Sequence, residues 1–269
     1  MSSNKTQKKM PLAMTIAGSD SGGGAGVQAD LKTFAACEVF GTSVLTLITA
    51  QNTRGVQDIQ VLEPELVRSQ FKSVITDLEP RAAKTGALGK GEMIRAVAEL
   101  VSKNGPEQLV VDPVMISKHG YPLMAEEDFQ VVRDALLPHA YLVTPNRYEA
   151  TVLCDGRPVE SISSMKEAAK QIYDFVPSQV IIKGGHFEKI VRDIYYDGTG
   201  FVEFGADRVD SERVHGSGCT FSAAVTARLA HGDTLVEALS FAREFISGAI
   251  EGAPEIGKGI SPVNPLWRF

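Results

Sequence analysis

The residues best suited to do chemistry lie in the stretch Val214–Ser222, which reads Val-His-Gly-Ser-Gly-Cys-Thr-Phe-Ser. Gly216 and Gly218 precede an apolar periodic run that begins at Thr220, so the pattern predicts a glycine turn that opens a helix. The first amides of such a helix have no partner inside it and lie at the positive end of its dipole, where they can bind an anion. Cys219 lies in the same field, which favours a thiolate. The loop therefore predicts a phosphate site beside a potential base, although a plain helix start with a buried cysteine is the simpler alternative.

Several polar residues follow short apolar runs that predict strands. Strands and helices alternate along the whole chain, which indicates an α/β fold with a mostly parallel sheet covered on both faces. Ligands bind such sheets beyond the carboxyl ends of the strands, so residues at those ends should converge on one site. The residues expected there are Asp20, Gln51, Lys84, Asp112, Thr144, Asn146 and Lys183.

Some of these residues suit a divalent cation and its anionic ligand. Asp112 and Glu149 offer carboxylates. Thr144 and Asn146 add the neutral oxygens that Mg²⁺ also accepts, usually through water. Each of them alone is equally an ordinary cap or surface residue. Lys183 ends an apolar strand, where its desolvation is costly unless it meets an anion such as a triphosphate.

Hydrophobic periodicity and turn residues give the predicted elements. The predicted strands are Leu12–Ala17, Val44–Thr49, Ala82–Thr85, Leu109–Val111, Tyr141–Thr144, Val180–Ile182 and a hairpin of Ile194–Tyr196 with Phe201–Phe204. The predicted helices are Val27–Ala35, Pro64–Ile75, Glu92–Val101, Glu126–Leu137, Asn146–Cys154, Met165–Phe175, Thr220–Ala230 and Leu235–Glu251. Because no stretch reads as a linker, we expect one domain over residues 12–269 after a disordered tail, residues 1–11.

Composition limits the classes of function. The 269 residues carry a net charge of −6, and no basic cluster follows Lys5–Lys9, which argues against nucleic-acid binding. The three cysteines are scattered without metal-like spacing, as in proteins of reducing compartments. The polar N-terminus does not read as a secretory signal, and no run is long enough for a membrane span. We therefore expect a cytoplasmic protein with no membrane or nucleic-acid partner.

Two glycine-rich motifs resemble nucleotide-binding loops, but each lacks a residue that such a loop requires. Gly24–Ala29 matches a loose dinucleotide fingerprint, but the next strand ends in Gln51-Asn52 rather than in the acidic residue that would hold a ribose. Gly252–Lys258 resembles a Walker A loop, but Gly259 replaces the metal-reaching Ser or Thr, and no strand precedes it. A nucleotide must therefore be held in another way.

Several stretches taken together resemble the hydroxymethylpyrimidine/phosphomethylpyrimidine kinases of thiamine biosynthesis, in the ribokinase superfamily. The match spans about residues 12 to 262 and is carried by Thr15–Lys32, Thr49–Thr53, Lys84–Gly86, Val111–Met115, Thr144–Asn146 with Glu149, Lys183–His186 and His215–Thr220. The resemblance implies a single-domain three-layer α/β/α fold. It also implies ATP- and Mg²⁺-dependent phosphorylation of the pyrimidine hydroxymethyl group, a second phosphorylation to the diphosphate, and a homodimer.

The resemblance also implies roles for individual residues. The implied substrate-binding residues are Gly18, Asp30, Gln51 and Val114; the catalytic ones are Cys219, Gly216, Gly218 and Lys183; the nucleotide-binding ones are Lys183, Asn146, Thr144, Gly216 and Ser217; and the metal ligands are Asp112 and Glu149. Cys219 would face the substrate hydroxyl, where many relatives carry Asp as a base. The division of roles suits phosphoryl transfer, in which catalysis is chiefly positioning and charge stabilisation.

Two other functions compete with this prediction. A sister group with the same cysteine loop phosphorylates pyridoxal and related vitamers, but it typically carries Met where Gln51 stands, and an amide suits the donor–acceptor edge of an aminopyrimidine. A catalytically inactive pyrimidine sensor on the same fold is the second alternative. The presence of Lys183, Cys219 and Asp112 argues against it, because a pure binder has no need of phosphate-handling groups.

Overall fold

The computed structural model of the chain describes residues 10–176, 178–184, 186–187 and 190–269. The predicted N-terminal tail therefore lies outside the described residues up to residue 9, as does Gly185 of the Lys183–His186 motif. The strands are β1 Leu12–Asp20, β2 Phe40–Asn52, β3 Gly55–Val61, β4 Ala82–Thr85, β5 Gln108–Val111, β6 Leu142–Val143, β7 Gln179–Ile182, β8 His186–Phe187, β9 Ile190–Tyr196 and β10 Phe201–Asp207. The helices are α1 Gly26–Ala36, α2 Pro64–Ile75, α3 Gly91–Asn104, α4 Phe129–Val131, α5 Arg147–Leu153, α6 Ile162–Phe175, α7 Ser217–His231 and α8 Leu235–Glu251.

The strands form one sheet in the order β10-β9-β7-β6-β5-β4-β1-β2-β3, with β8 paired to β9. All neighbours from β2 to β7 along this order pair in parallel. Antiparallel strands close both edges, through β3 on one side and β9 with β10 on the other. The α/β class with a mostly parallel sheet is confirmed.

Hydrophobic residues of the central strands point alternately into two cores. In β1, Met14 and Ile16 belong to the core beneath helices α2 to α6, whereas Ala13 belongs to the core beneath α1, α7 and α8. Strands buried on both faces read as continuous apolar runs, which is why their existence is visible in the sequence. The helices thus form one layer on each face of the sheet. Within the described ranges, no helix combines the length and apolar character that a membrane crossing requires.

The structure differs from the predicted elements in several places. β2 extends well beyond the predicted Val44–Thr49, and the edge strand β3 was missed because its outward residues are polar. The predicted helix Glu126–Leu137 is a succession of a 3₁₀ turn, the short α4, a π turn at Val132–Leu136 and a second 3₁₀ turn. Pro138 follows directly and has no N–H to continue an α-helical ladder.

Candidate active site

The carboxyl ends of the parallel strands open into a cleft of about 1020 Å³. This is the edge at which the sequence placed the site, because ligands bind α/β sheets beyond the carboxyl ends of the strands. All but two of the predicted site residues line the cleft: Gly18, Gln51, Asp112, Val114, Asn146, Glu149, Lys183, Gly216, Ser217, Gly218 and Cys219.

The loop before α7 has a conformation that only glycine adopts without strain. Gly216 is the N-cap of α7 with φ of 75°, and a Cβ on it would lie 1.8 Å from the carbonyl oxygen of Gly24. The contact joins this loop to the glycine-rich turn that follows β1. Because the helix begins at Ser217, the N–H groups of Gly218 and Cys219 lie in its first turn, where helices have no internal acceptors. The N-terminus of α7 therefore presents bare donors to the cleft, as predicted.

Lys183 brings a positive charge to the same loop. Its Nζ lies 2.8 Å from Oδ1 of Asp112, and a Cβ added to Gly218 would lie 3.4 Å from it. Burial disfavours the charge, but Asp112 and Glu149 outweigh this effect and raise the pKa of Lys183, which stays an ammonium. An ammonium group and a helix N-terminus thus face one region of the cleft, an arrangement that suits a phosphate chain.

Asp112 is the buried hub of this region. Besides Lys183, its carboxylate accepts hydrogen bonds from Thr144 Oγ1 at 3.2 Å and from Ser222 Oγ of α7 at 3.2 Å. Burial opposes ionisation, but Lys183 and Lys84 outweigh it and hold the pKa of Asp112 below its usual value. The carboxylate therefore fixes Lys183 and α7 relative to the end of β5.

Asn146 and Glu149 form a capping box at the start of α5. Asn146 Oδ1 accepts the Glu149 N–H at 2.9 Å, and Glu149 Oε2 accepts the Asn146 N–H at 2.8 Å. The two residues therefore do cap the helix, and both also line the cleft. Burial raises the pKa of Glu149 to about 8, with Lys183 opposing the shift and Asp112 adding to it.

Asp112 and Glu149 are the predicted metal ligands. In the described part of the chain, no group of three or more His, Cys, Asp or Glu side chains is arranged to hold a metal. Asp112 and Glu149 nonetheless both line the cleft near Lys183. Mg²⁺ usually takes one or two carboxylates and completes its shell with water and substrate phosphates, so this donor set fits it.

Cys219 lies at the junction of the loop and the cleft floor. The Gly26 N–H hydrogen bonds to its sulfur, and Lys84 is close enough to favour the thiolate. Burial nevertheless raises the pKa of the thiol to about 11, and Lys84 opposes this only in part. The sequence left the protonation state of Cys219 open, and the structure favours the thiol, because desolvation exceeds the effects of Lys84 and of the Gly26 N–H.

The other part of the cleft carries the predicted pyrimidine contacts. Gly18, Gln51 and Val114 line it, at the ends of β1 and β2 and after β5. A Cβ at Gly18 would lie 2.5 Å from Cδ1 of Leu47, so the glycine lets β1 pack closely against β2. These residues come from β1, from β2 and from the segment after β5, and all three line the same cleft as Lys183.

Asp30 and Thr144 are the two predicted residues that do not line the cleft. Asp30 is fully buried beneath it, 2.9 Å from Lys84 Nζ and 2.6 Å from Thr15 Oγ1. Thr144 is fully buried against Asp112. Each of the two instead contacts a residue that lines the cleft: Asp30 contacts Lys84, and Thr144 contacts Asp112.

Asp193 and Arg243 line the cleft but were missed in the sequence. Asp193 Oδ1 accepts the Gly184 N–H at 2.8 Å, and its Oδ2 lies 3.2 Å from Arg243 Nη1. Asp193 thereby holds the turn that follows Lys183. The available signal was a lone carboxylate within the apolar strand β9.

Comparison with known proteins identifies the family of the chain. The family described as phosphomethylpyrimidine kinase matches residues 20–264. The hydroxymethylpyrimidine/phosphomethylpyrimidine kinase of Bacillus subtilis is 42% identical, over 94% of this chain and 93% of that protein.

Solved structures show the same fold. The phosphomethylpyrimidine kinase of Clostridium difficile superposes with a TM-score of 0.79 at 40% identity, over 89% of this chain and 99% of that one. The Staphylococcus aureus pyridoxal kinase in complex with AMP-PCP and pyridoxal superposes with a TM-score of 0.88 at 35% identity, over 96% of this chain and 94% of that one. The chain belongs to the phosphomethylpyrimidine kinase family.

Proposed function

We propose that the protein transfers phosphate from ATP, with Mg²⁺, to the hydroxymethyl group of 4-amino-5-hydroxymethyl-2-methylpyrimidine. A second transfer to the resulting monophosphate then gives the diphosphate used in thiamine biosynthesis. The observation that carries the proposal is the meeting of the α7 N-terminus with Lys183 in a cleft that also holds Gln51 and Val114. The names of the relatives at about 40% identity support it.

The chain supplies positioning and charge for this reaction. Lys183 would neutralise the phosphates of ATP, and the N–H groups of Gly218 and Cys219 would stabilise the charge on the transferred phosphoryl group. Such donors are most effective when they are fixed before the substrate binds, and Asp112 fixes both Lys183 and α7. A thiol at Cys219 would act as a hydrogen-bonding group at the substrate hydroxyl, because phosphoryl transfer requires little covalent chemistry from the protein.

Asp112 and Glu149 would hold Mg²⁺, directly or through water, with the phosphates of ATP. The ion would supply further neutralisation of the phosphate charge. A protonated Glu149 must lose its proton to take part, and a nearby cation favours that loss. Asn146 would orient Glu149 through the capping box.

Pyridoxal phosphorylation is the second candidate, since the pyridoxal kinase of Staphylococcus aureus shares the fold over most of both chains. The Gln51 carboxamide favours the pyrimidine, because it offers both a donor and an acceptor to the amino group and ring nitrogen. A sensor without activity would not need the buried Asp112–Lys183 pair at a helix N-terminus. A homodimer and a cytoplasmic location complete the proposal, and the three free thiols are consistent with a reducing compartment.

The test is product identification by mass spectrometry after incubation with Mg²⁺-ATP and the pyrimidine, its monophosphate or pyridoxal. We expect the pyrimidine monophosphate and then the diphosphate, with slower formation of both in Gln51→Met. If pyridoxal phosphate were the sole product, the protein would be a pyridoxal kinase instead. Size-exclusion chromatography with light scattering tests the dimer.

A further inference from the structure

His215 immediately precedes Gly216 of the catalytic loop, and its side chain contacts Asp20 and Gln51, which line the cleft. Its side chain is almost fully buried, and Nε2 lies 3.0 Å from Oδ2 of Asp20. Nε2 also lies 3.3 Å from Nε2 of the Gln51 carboxamide. Oε1 of that carboxamide lies 3.1 Å from Oγ1 of Thr49. His215 thus joins a carboxylate to the amide that would read the substrate.

Asp20 determines which nitrogen of His215 carries the proton. Its carboxylate accepts the N–H groups of Gly22 at 2.8 Å, Gly24 at 3.0 Å and Ala25 at 2.9 Å. Burial opposes ionisation, but these donors and His215 outweigh it and lower the pKa of Asp20. An ionised carboxylate only accepts hydrogen bonds, so Nε2 of His215 must donate to it. The Nε2 atom of His215 therefore carries a proton.

Thr49 applies an independent constraint at the other end of the carboxamide. Two acceptors lie near its hydroxyl, the carbonyl oxygen of Ser19 at 3.0 Å and Gln51 Oε1 at 3.1 Å, but the hydroxyl has one proton for both. An NH₂ group in place of Oε1 would remove this competition, because it would donate to Oγ1. A half-turn about the last side-chain bond exchanges Oε1 and Nε2, so the hydrogen-bond network decides which is which. The half-turn satisfies both contacts: Oε1 then faces the His215 donor, and NH₂ faces Thr49, whose proton is left for Ser19.

The main chain of Gln51 is also held in place by two hydrogen bonds. Its N–H donates to Ser21 Oγ at 2.8 Å, and Ser21 Oγ donates to its carbonyl oxygen at 2.9 Å. With the main chain held and both terminal atoms paired, one N–H and one lone pair remain for a ligand in the cleft. These two groups form a donor–acceptor edge with a fixed direction.

We propose that Asp20 and His215 are positioning residues that set the direction of this edge and thereby the specificity for an aminopyrimidine. The inference rests on the proposed function. In one orientation of the ring, the 4-amino group donates to Oε1 and the adjacent ring nitrogen accepts from NH₂. The reversed amide would place a donor against the amino group and an acceptor against the ring nitrogen, so this orientation of the ring would lose both hydrogen bonds.

A kinetic test separates this role from simple structural support. The substrates are the natural aminopyrimidine and 5-hydroxymethyl-2-methylpyrimidine, which lacks the 4-amino group. The wild type should prefer the amino compound by at least about tenfold in kcat/KM, since a site built to bond a polar group rejects the analogue without it. In His215→Met the preference for the amino compound should fall to less than about threefold, because the Gln51 amide is no longer held in one orientation. KM for ATP should change less than about twofold, because the phosphate-binding residues are not altered. His215→Gln keeps a donor near the Nε2 position and should restore part of the preference, whereas His139→Met on the surface should match the wild type.

A double-mutant cycle tests whether His215 acts through Gln51. If it does, adding His215→Met to Gln51→Met should lower kcat/KM by less than about twofold beyond Gln51→Met alone. Losses that multiply, or an unchanged preference in a weakened His215→Met, would overturn the proposal. A wild type that phosphorylates neither pyrimidine would overturn the proposed function itself, and with it the specificity role.

A spectroscopic measurement tests the tautomer without any turnover. The ¹⁵N chemical shifts of His215, assigned by comparison with His215→Gln, distinguish a protonated from a bare ring nitrogen. We expect the proton on Nε2 in the wild type. A proton on Nδ1 alone would contradict the proposed direction of the Gln51 amide, even if the variants prove inactive for other reasons.

Discussion

Nζ of Lys183 lies 2.8 Å from Oδ1 of Asp112, which ties the end of β7 to the end of β5 beneath the cleft. The ammonium group is thus held near the N-terminus of α7 by a contact within the protein itself. Because the Asp112 carboxylate also accepts a hydrogen bond from Ser222, it fixes Lys183 and α7 relative to each other. The pair therefore serves stability and phosphate binding together.

The first prediction concerns Lys183. Lys183→Met removes the charge that faces the phosphates, and we expect kcat to fall by about 100-fold or more. It also leaves Asp112 buried without its cation, so the free energy of unfolding should drop by about 3 kcal/mol. Steady-state kinetics and urea unfolding measure the two effects. Lys72→Met, on the surface of α2, is the control and should change neither; wild-type kcat in Lys183→Met would refute the assigned role.

The second prediction compares two glycines of the catalytic loop. Gly216→Ala places a methyl group against the Gly24 carbonyl in a left-handed backbone, and we expect about 1–3 kcal/mol of destabilisation with loss of activity. Gly218→Ala meets its nearest atom, Lys183 Nζ, at 3.4 Å, an ordinary contact. Its unfolding free energy should stay within about 1 kcal/mol of the wild type. Equal destabilisation of the two variants in thermal and urea unfolding would contradict this account.

The third prediction concerns the protonation of Cys219. Since burial raises its pKa to about 11, the thiolate should be scarce at pH 7 and increase only as the pH approaches that value. Alkylation by iodoacetamide, followed at the Cys219 peptide by mass spectrometry, should therefore rise steadily between pH 7 and pH 10. A plateau below pH 8 would instead show a stabilised thiolate. Cys219→Ser should retain measurable kinase activity, because a hydroxyl can replace a protonated thiol as a hydrogen-bonding group.

The fourth prediction is a pH dependence of stability that comes from Glu149. Its pKa rises from 4.5 in the unfolded chain to about 8 in the folded protein, so the folded state binds more protons between these values. Its contribution to stability is therefore lost as the pH increases from about 4.5 to about 8. Glu149→Gln removes this titration, and its unfolding free energy in EDTA buffer should fall less over that range than that of the wild type. Parallel pH profiles for the two proteins would show that Glu149 titrates normally.

The main architecture was predictable because its signals are local. The apolar runs at β1, β4 and β5 and the amphipathic patterns of α2 and α8 identify their elements. The edge strand β3 could not be recognised, because an exposed strand needs no apolar pattern. The broken helix before β6 depends on how its turns pack, which periodicity does not report.

The site was predictable to the level of which residues converge. Gln51, Asp112 and Lys183 follow strands in the sequence, and parallel topology brings them together. The burial of individual residues was not predictable. Asp30 was expected to bind the substrate, but it is fully buried in an ion pair with Lys84. The pKa of Cys219 depends on desolvation by distant segments, which motif spacing does not encode.

The central claim is best tested by initial rates of Mg²⁺-ATP consumption with hydroxymethylpyrimidine, its monophosphate and pyridoxal as separate substrates. We predict turnover of both pyrimidines, with kcat/KM for hydroxymethylpyrimidine above that for pyridoxal and with the preference reduced in Gln51→Met. Turnover of pyridoxal alone, or of none of the three by a folded protein, would contradict the account.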